Sequence, residues 1–253
     1  MARFSDKIIV ITGAASGIGE GAARRFAEEG ATLVLGDIDK AALDRLAGEL
    51  HGTVESCETD VSDHAACEAL VQAAIDRFGR IDVLVNDAGV DHLGKVDEGD
   101  FAEFTKVIET DLYGVVHMSR AAIAHLRQSK GCIVNVSSVS GLGGDWNHSF
   151  YCAAKGAVSN FTRALAMDEA KHGVRVNAVN PSLTYTALTA GMKDQPELIA
   201  KFEERIPLGR GAEPADISGV IAFLASEDAH FVTGVNLPVD GGLTASNGQP
   251  PLS

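Results

Sequence analysis

The chain has 253 residues, 45% of them hydrophobic and 6% aromatic, and sets 21 Lys plus Arg against 35 Asp plus Glu for a formal net charge of −14. That apolar fraction excludes a disordered chain, and the length suits one large α/β domain or two small ones. So acidic a surface repels phosphate backbones, which argues against nucleic acid and membrane surfaces as partners, although helix N-termini can still hold a nucleotide's phosphates.

Short β-branched runs alternate with longer helical patterns. Residues 7–12 (KIIVIT) predict a buried strand, followed by a Gly-punctuated turn and a helix over 17–29, with Gly30 where a C-cap belongs. A second strand (31–35) and a second helix (40–50) follow. Further strands are predicted at 53–58, 81–86, 132–137 and 174–180, with a last one near 235–239. Helices are predicted over 65–78, 101–126, 151–172 and 214–226. Strands this apolar need cover on both faces, so the expectation is an α/β fold, a doubly wound parallel Rossmann sheet flanked by helices. No linker, repeat or charge block divides the sequence, and residues 1–253 are expected to form a single domain. Residues 183–210 break the rhythm beyond a strand's C-terminal end and predict a substrate lid there.

No stretch approaches the roughly 20 apolar residues of a membrane span. The start runs directly into a strand-like segment without a signal-peptide core. Cys57, Cys67, Cys132 and Cys152 are scattered with no Cys-x-x-Cys pair, which favours reduced thiols packed as small hydrophobes. A cytoplasmic protein is expected. No His, Asp or Glu cluster has metal-ligand spacing, and no metal is expected.

Residues 12–19 (TGAASGIG) join the first strand to the first helix. Gly13 permits the sharp turn, Gly17 lets the main chain approach a pyrophosphate, and Gly19 allows close helix–strand packing. With Ser16 and Ile18 they are candidates to bind a dinucleotide; the plainer alternative is an ordinary strand–helix connection. Asp37 ends the second strand about 20 residues further on, as the dinucleotide fingerprint requires. A carboxylate there accepts hydrogen bonds from an adenosine ribose and repels a 2′-phosphate, favouring NAD over NADP. Neither the turn nor the immediate neighbours of Asp37 carry Lys or Arg, although Lys40 is close.

Tyr151 and Lys155 stand four apart on an Ala-rich helical stretch, so they share one face. A phenol with a reference pKa near 10 is a poor base at neutral pH, and a nearby ammonium is expected to favour its phenolate. Ser138 ends the apolar strand CIVNVSS, whose end shares the ligand edge with the next helix's first turn. Its hydroxyl can donate to a substrate oxygen while Tyr151 exchanges the proton. Ser137 is the alternative, on the opposite face of the strand.

Taken together, TGAASGIG (12–19), Asp37, Asp60-Val61, NDAG (86–89), Ser138, YCAAK (151–155), NPS (180–182) and VDGG (239–242) resemble the short-chain dehydrogenase/reductase family along essentially the whole chain. The resemblance implies Tyr151 as general acid/base, Lys155 on the nicotinamide ribose, and Ser138 orienting the substrate. It further implies Asp60 and Val61 beside the adenine, and the stretch 86–89, with Asn86, Ala88 and Gly89, along the cofactor. Pro181, Thr184 and Thr186 then belong to the nicotinamide end, with Thr186 on the carboxamide. Two positions depart from the family pattern. Asp111 stands where the family usually has an Asn that helps hold a proton-relay water, and is a candidate to pair with Lys155. Ser182 replaces a Gly after Pro181, narrowing backbone freedom beside the nicotinamide.

Residues 139–158, 180–186 and 238–250 most resemble the branch of the family that interconverts 2,3-butanediol with acetoin or diacetyl. The expected activity is therefore NAD-dependent interconversion of a small secondary alcohol and ketone. A 3-oxoacyl thioester, a sugar or a hydroxysteroid is the alternative substrate, and an NAD(H)-binding regulator without chemistry is the non-enzymatic one. Substrate contacts are expected from Ser138, Ser140, Trp146, Asn147 and Tyr151, and from the segment 183–192 beginning at Leu183. Trp146 is a candidate pocket wall or a residue packed under a loop, and His148 a second base or a solvated loop histidine. The family resemblance implies a homotetramer paired through the helices at 101 and 151, although intrachain packing accounts equally for their small residues. The polar tail 246–253 is either disordered or reaches a neighbouring pocket.

Overall fold

The computed structural model describes residues 2–192 and 194–249. Strand alternation builds two cores. In β1 (Ile8–Thr12), Ile9 and Ile11 pack into one apolar cluster while Ile8 and Val10 enter another on the opposite face. The first cluster is closed by Ala22, Phe26, Leu43, Leu46, Ile217 and Ile221, the second by Leu70, Ala74, Met118, Ala122 and Leu126.

The chain continues through α1 (Gly17–Glu28), β2 (Thr32–Asp37), α2 (Lys40–Glu49), β3 (Val54–Glu58), α3 (His64–Phe78) and β4 (Val83–Asn86). Next come α4 (Phe101–Val107), α5 (Gly114–Ser129), β5 (Cys132–Val136), α6 (Ser149–Glu169) and β6 (Arg175–Pro181). The series ends with α7 (Pro196–Arg205), α8 (Pro214–Ala225) and β7 (Asn236–Val239). All seven strands are parallel, in the order β3-β2-β1-β4-β5-β6-β7. Sequence order reverses between β1 and β4, so the carboxyl ends of these strands flank a crevice.

Local chemistry sets the helix starts. Asp39, Asp63 and Asp100 each cap a helix by accepting from the N–H of Ala42, Ala65 and Ala102. Pro214 opens α8, where Glu213 and Asp216 form a reciprocal capping box. Gly30 adopts φ +86° just past α1, the left-handed geometry that ends helices.

One prediction needs correction. The expected continuous helix over 101–126 is broken into α4, a π-helical segment Ile108–Tyr113, and α5. One wide turn leaves apolar periodicity nearly unchanged, so the sequence pattern does not register it. The interval 183–210 holds α7 and a short 3₁₀ turn, Ala190–Met192. Residues 250–253, part of the tail with two expected fates, lie outside the described residues.

Phe26 is fully buried and meets Phe4 edge-on, with ring centroids 4.8 Å apart. Phe26→Ala is expected to cost about 3–5 kcal/mol, read as a lower denaturation midpoint at constant m-value. A loss under about 1 kcal/mol refutes its place as a principal core residue.

Candidate active site

A cleft of about 450 Å³ opens at the carboxyl ends of β1, β2, β4, β5 and β6. At one side lies the turn after β1. Gly13 has φ +68°, and a Cβ there would stand 2.7 Å from the Ala88 backbone nitrogen. Gly17 has φ +58°. Ser16, the N-cap of α1, makes no side-chain cap bond, so its side chain takes none of the first N–H groups; the Gly19 N–H is met by Asp87. Gly13, Ser16, Gly17 and Ile18 line the cleft. Gly19 stands behind them, where a Cβ would come within 2.2 Å of the Gly13 carbonyl oxygen; its part is packing rather than direct cofactor contact.

Asp37 braces this turn. Its Oδ2 accepts from Ala15 N at 3.0 Å and its Oδ1 from Asp39 N at 3.0 Å. Lys40, the nearest cation in sequence, pairs with Asp44 and donates to Ser56 at 3.3 Å, and it is not part of the cleft wall. Ile38, Thr59, Asp60, Val61 and Ser62 continue the wall; Asp60 and Val61 are sequence-predicted, whereas Ile38, Thr59 and Ser62 are additions.

Ala88 and Gly89 line the cleft, but Asn86 does not. Asn86 faces Asn135 across β4 and β5, donating to its Oδ1 at 2.9 Å, and lies 3.4 Å from Ser119 Oγ. Strand alternation thus spends Asn86 on holding the sheet, correcting its expected cofactor contact. Asp87, within the stretch 86–89 that the resemblance placed along the cofactor, lines the cleft with Ala88 and Gly89.

Ser138, Tyr151, Lys155 and Asp111 converge on the same cleft. The π segment seats Asp111, 0% exposed, against Lys155, 4% exposed. Asp111 Oδ2 lies 3.0 Å from Lys155 Nζ, while Asp111 Oδ1 accepts from Val90 N at 2.8 Å. Lys155 Nζ also donates to Val136 O at 3.2 Å. Burial opposes the lysine's charge, but Asp111 and Tyr151 outweigh it and hold its pKa above the ordinary lysine value.

The expectation for Tyr151 is met only in part. Burial pushes its phenol above the ordinary tyrosine value; Lys155 and the Ser138 hydroxyl pull it back, and Asp111 works against them. In the cofactor-free chain the net direction is upward. The ammonium is shared with a carboxylate that the Tyr-x-x-x-Lys spacing does not reveal.

Ser137 and Ser138 part as strand alternation requires. Ser137 Oγ donates to Lys155 O at 2.9 Å and lies 2.8 Å from Ser159 Oγ, which fixes α6 against β5. Ser138 Oγ accepts from Ser140 N at 3.1 Å and lines the cleft, its hydroxyl turned to Tyr151. The alternative hydroxyl is therefore occupied structurally.

Three expected substrate contacts are corrected. Ser140 is buried beside the cleft and donates to Asp145 Oδ2 at 3.2 Å. Trp146 is 88% exposed on the loop before α6, neither a pocket wall nor packed under the loop. Asn147 has φ +59°, and its carbonyl accepts from Gly94 N at 2.7 Å, tying two loops together. None of the three lines the cleft. A dipeptide's distance from Tyr151 along the chain says nothing about which way a loop turns. His148 is half-buried, with Nε2 3.3 Å from Asp91 Oδ2, and that carboxylate raises its pKa.

Pro181, Leu183, Thr184 and Thr186 line the opposite wall with Ser182. Leu188 and Thr189, within the expected segment 183–192, line it as well. Thr189 Oγ1 donates to Thr184 O at 2.7 Å and accepts from Thr186 N at 3.0 Å, pinning this loop into shape.

A phosphate-ready helix start and a Ser–Tyr–Lys set at one strand edge define an oxidoreductase acting on CH–OH groups. Residues 13–244 match the family model described as "Enoyl-(Acyl carrier protein) reductase". The chain is 52% identical over 251 residues to meso-2,3-butanediol dehydrogenase of Serratia marcescens, covering 99% of each chain. It is 38% identical over 245 residues to a 3-oxoacyl-[acyl-carrier-protein] reductase of Thermotoga maritima, covering 95% of this chain and 99% of that one. The crystal structure of a 3-ketoacyl-(acyl-carrier-protein) reductase from Brucella melitensis complexed with NADH superposes with a TM-score of 0.88 at 37% identity, over 95% of this chain and 99% of that one. The chain belongs to the short-chain dehydrogenase/reductase family.

Asp111→Asn keeps the shape of the side chain and removes a charge that opposes Tyr151 ionisation. The rising limb of kcat/KM against pH for alcohol oxidation is expected to move down by roughly one unit. An unmoved or upward-shifted limb refutes the electrostatic link.

Proposed function

We propose that the protein is an NAD(H)-dependent dehydrogenase of small secondary alcohols, interconverting 2,3-butanediol with acetoin or diacetyl. The observation that carries the chemistry is the meeting of Ser138, Tyr151 and Lys155 with a phosphate-ready α1 N-terminus in one cleft. The substrate pair rests on the 52% identity to a butanediol dehydrogenase over nearly the whole chain.

The cleft suits a dinucleotide, since a Cβ at Gly13 would collide with Ala88 at the turn and the start of α1, uncapped by Ser16, stands at its edge. Bound there, a nicotinamide supplies the acceptor or donor for hydride. Asp37 holds the adenosine ribose, and its charge together with the diversion of Lys40 to Asp44 supports NAD over NADP. Ser138 donates to the substrate oxygen and fixes its direction. For alcohol oxidation the Tyr151 phenolate takes the carbinol proton; for ketone reduction the phenol returns it. Lys155 stabilises the phenolate, and Asp111 keeps Lys155 in place.

The reading extends to one catalytic domain over 1–253, with residues 183–210 as the lid and Leu183 against the substrate. A homotetramer is supported by apolar side chains left on the surface, among them Phe101 and Met167. No helix among the described residues is long and apolar enough to cross a membrane. The free cysteines agree with a cytoplasmic location. A second reading, reduction of a 3-oxoacyl thioester, is favoured by the Thermotoga and Brucella relatives.

NADH absorbance followed with acetoin, diacetyl, each butanediol stereoisomer and acetoacetyl thioesters separates the two. The highest kcat/KM is expected on a butanediol or acetoin; preference for the thioester overturns the substrate assignment. Tyr151→Phe is expected to lose about 10²–10⁴-fold in kcat while still binding NADH, and near-normal turnover excludes Tyr151 as the acid/base. Asp37→Ala is expected to lower the NAD/NADP ratio of kcat/KM by roughly 10–100-fold, the worth of charged hydrogen bonds. An unchanged ratio removes Asp37 from the ribose.

A further inference from the structure

Asp87 leaves β4 one residue after Asn86 and turns toward α1. A Cβ placed on Gly19 would stand 2.7 Å from Asp87 Oδ2, and the carboxylate accepts from the Gly19 N–H. The Asp87 N–H donates in turn to Thr12 Oγ1 at 3.3 Å. This carboxyl therefore lies against the first turn of α1 while also lining the cleft.

The charges around it leave little to balance a negative group. Asp37 faces it from the end of β2, Asp111 from the π segment and Lys155 from α6. Lys155 is already shared between Asp111, at 3.0 Å, and Val136 O, at 3.2 Å. Half-buried at the cleft wall, the Asp87 carboxyl is pushed up to about 7 by desolvation against the pull of Lys155 and the Gly19 N–H. A pyrophosphate arriving at this turn adds further negative charge, which favours the protonated acid.

We propose that Asp87 couples dinucleotide binding to proton uptake, so that the cofactor's phosphates settle beside a neutral carboxyl and bind progressively less tightly as the medium becomes alkaline. This rests on the reading of the cleft as a dinucleotide site. Asp87 acts here on cofactor affinity, apart from the proton that Tyr151 exchanges with substrate.

NADH titrated by fluorescence from about pH 6 to about pH 9 tests the coupling. Wild-type affinity is expected to fall above neutrality, by a total of roughly tenfold for each unit by which the cofactor raises the Asp87 pKa. Asp87→Asn, equal in size and without charge, is expected to bind with little pH dependence and more tightly than wild type at the alkaline end. Titration calorimetry near neutral pH, in two buffers of different ionisation heat, is expected to register proton uptake in wild type and its loss in the variant. Pocket polarity alone does not alter proton uptake. Flat wild-type affinity without uptake, or the same slope and uptake in Asp87→Asn, overturns the proposal. Absence of NADH binding in both proteins at every pH overturns the dinucleotide reading itself and the proposal with it.

Thermal unfolding without cofactor supplies a separate check. A carboxyl harder to ionise folded than unfolded leaves stability intact below its unfolded pKa and lowers it as pH rises toward the folded one. The melting temperature of Asp87→Asn is therefore expected to gain on wild type between about pH 5 and about pH 8. A constant difference across that range counts against the raised acid and overturns the coupling.

Discussion

The site is held together by one buried ion pair. Lys155 and Asp111 are removed from water, and each carries a second polar partner from elsewhere in the chain, Val136 O for the lysine and Val90 N for the aspartate. Those contacts join α6, the π segment, the end of β5 and the loop after β4 at a single point. Burying both charges is costly, and removing either partner leaves the other uncompensated, typically a loss of about 3–5 kcal/mol. The same pair acts on Tyr151, whose phenolate Lys155 favours and Asp111 opposes.

Around that pair the cleft is unusually acidic for a place that receives phosphate. Asp37, Asp60, Asp87 and Asp111 all line it. The start of a helix attracts phosphate through N–H groups whose partial charges add no net charge, so a chain carrying −14 is not barred from an anionic cofactor.

Most of the scaffold was legible along the chain. Near-continuous apolar strands separated by helical patterns imply a two-faced parallel sheet, and the observed order β3-β2-β1-β4-β5-β6-β7 is one of the doubly wound orders such a sheet adopts. Gly13 and Gly17 could be read because positive φ and close approach select glycine at single positions. Trp146, Ser140 and Asn147 could not, because loop direction depends on contacts such as Gly94 N with Asn147 O, made by residues over fifty positions apart. Asn86 was misassigned for a related reason: its neighbour across the sheet, Asn135, is set by strand register.

The sequence by itself determined the sheet, the phosphate turn, the acidic residue ending β2, and the placing of Ser138, Tyr151 and Lys155 on one ligand edge. Those features follow from periodicity and from residue types whose backbone or proton chemistry has few substitutes. Tertiary structure alone decided that the helix after Phe101 widens into a π turn, that Asp111, a candidate partner in the sequence, stands 3.0 Å from Lys155 Nζ, and that Asn86 turns away from the cleft that Asp87 lines. Each of these depends on distances between residues remote in sequence, and in a folded chain such distances fix both the strength of an ion pair and the acidity of a buried group.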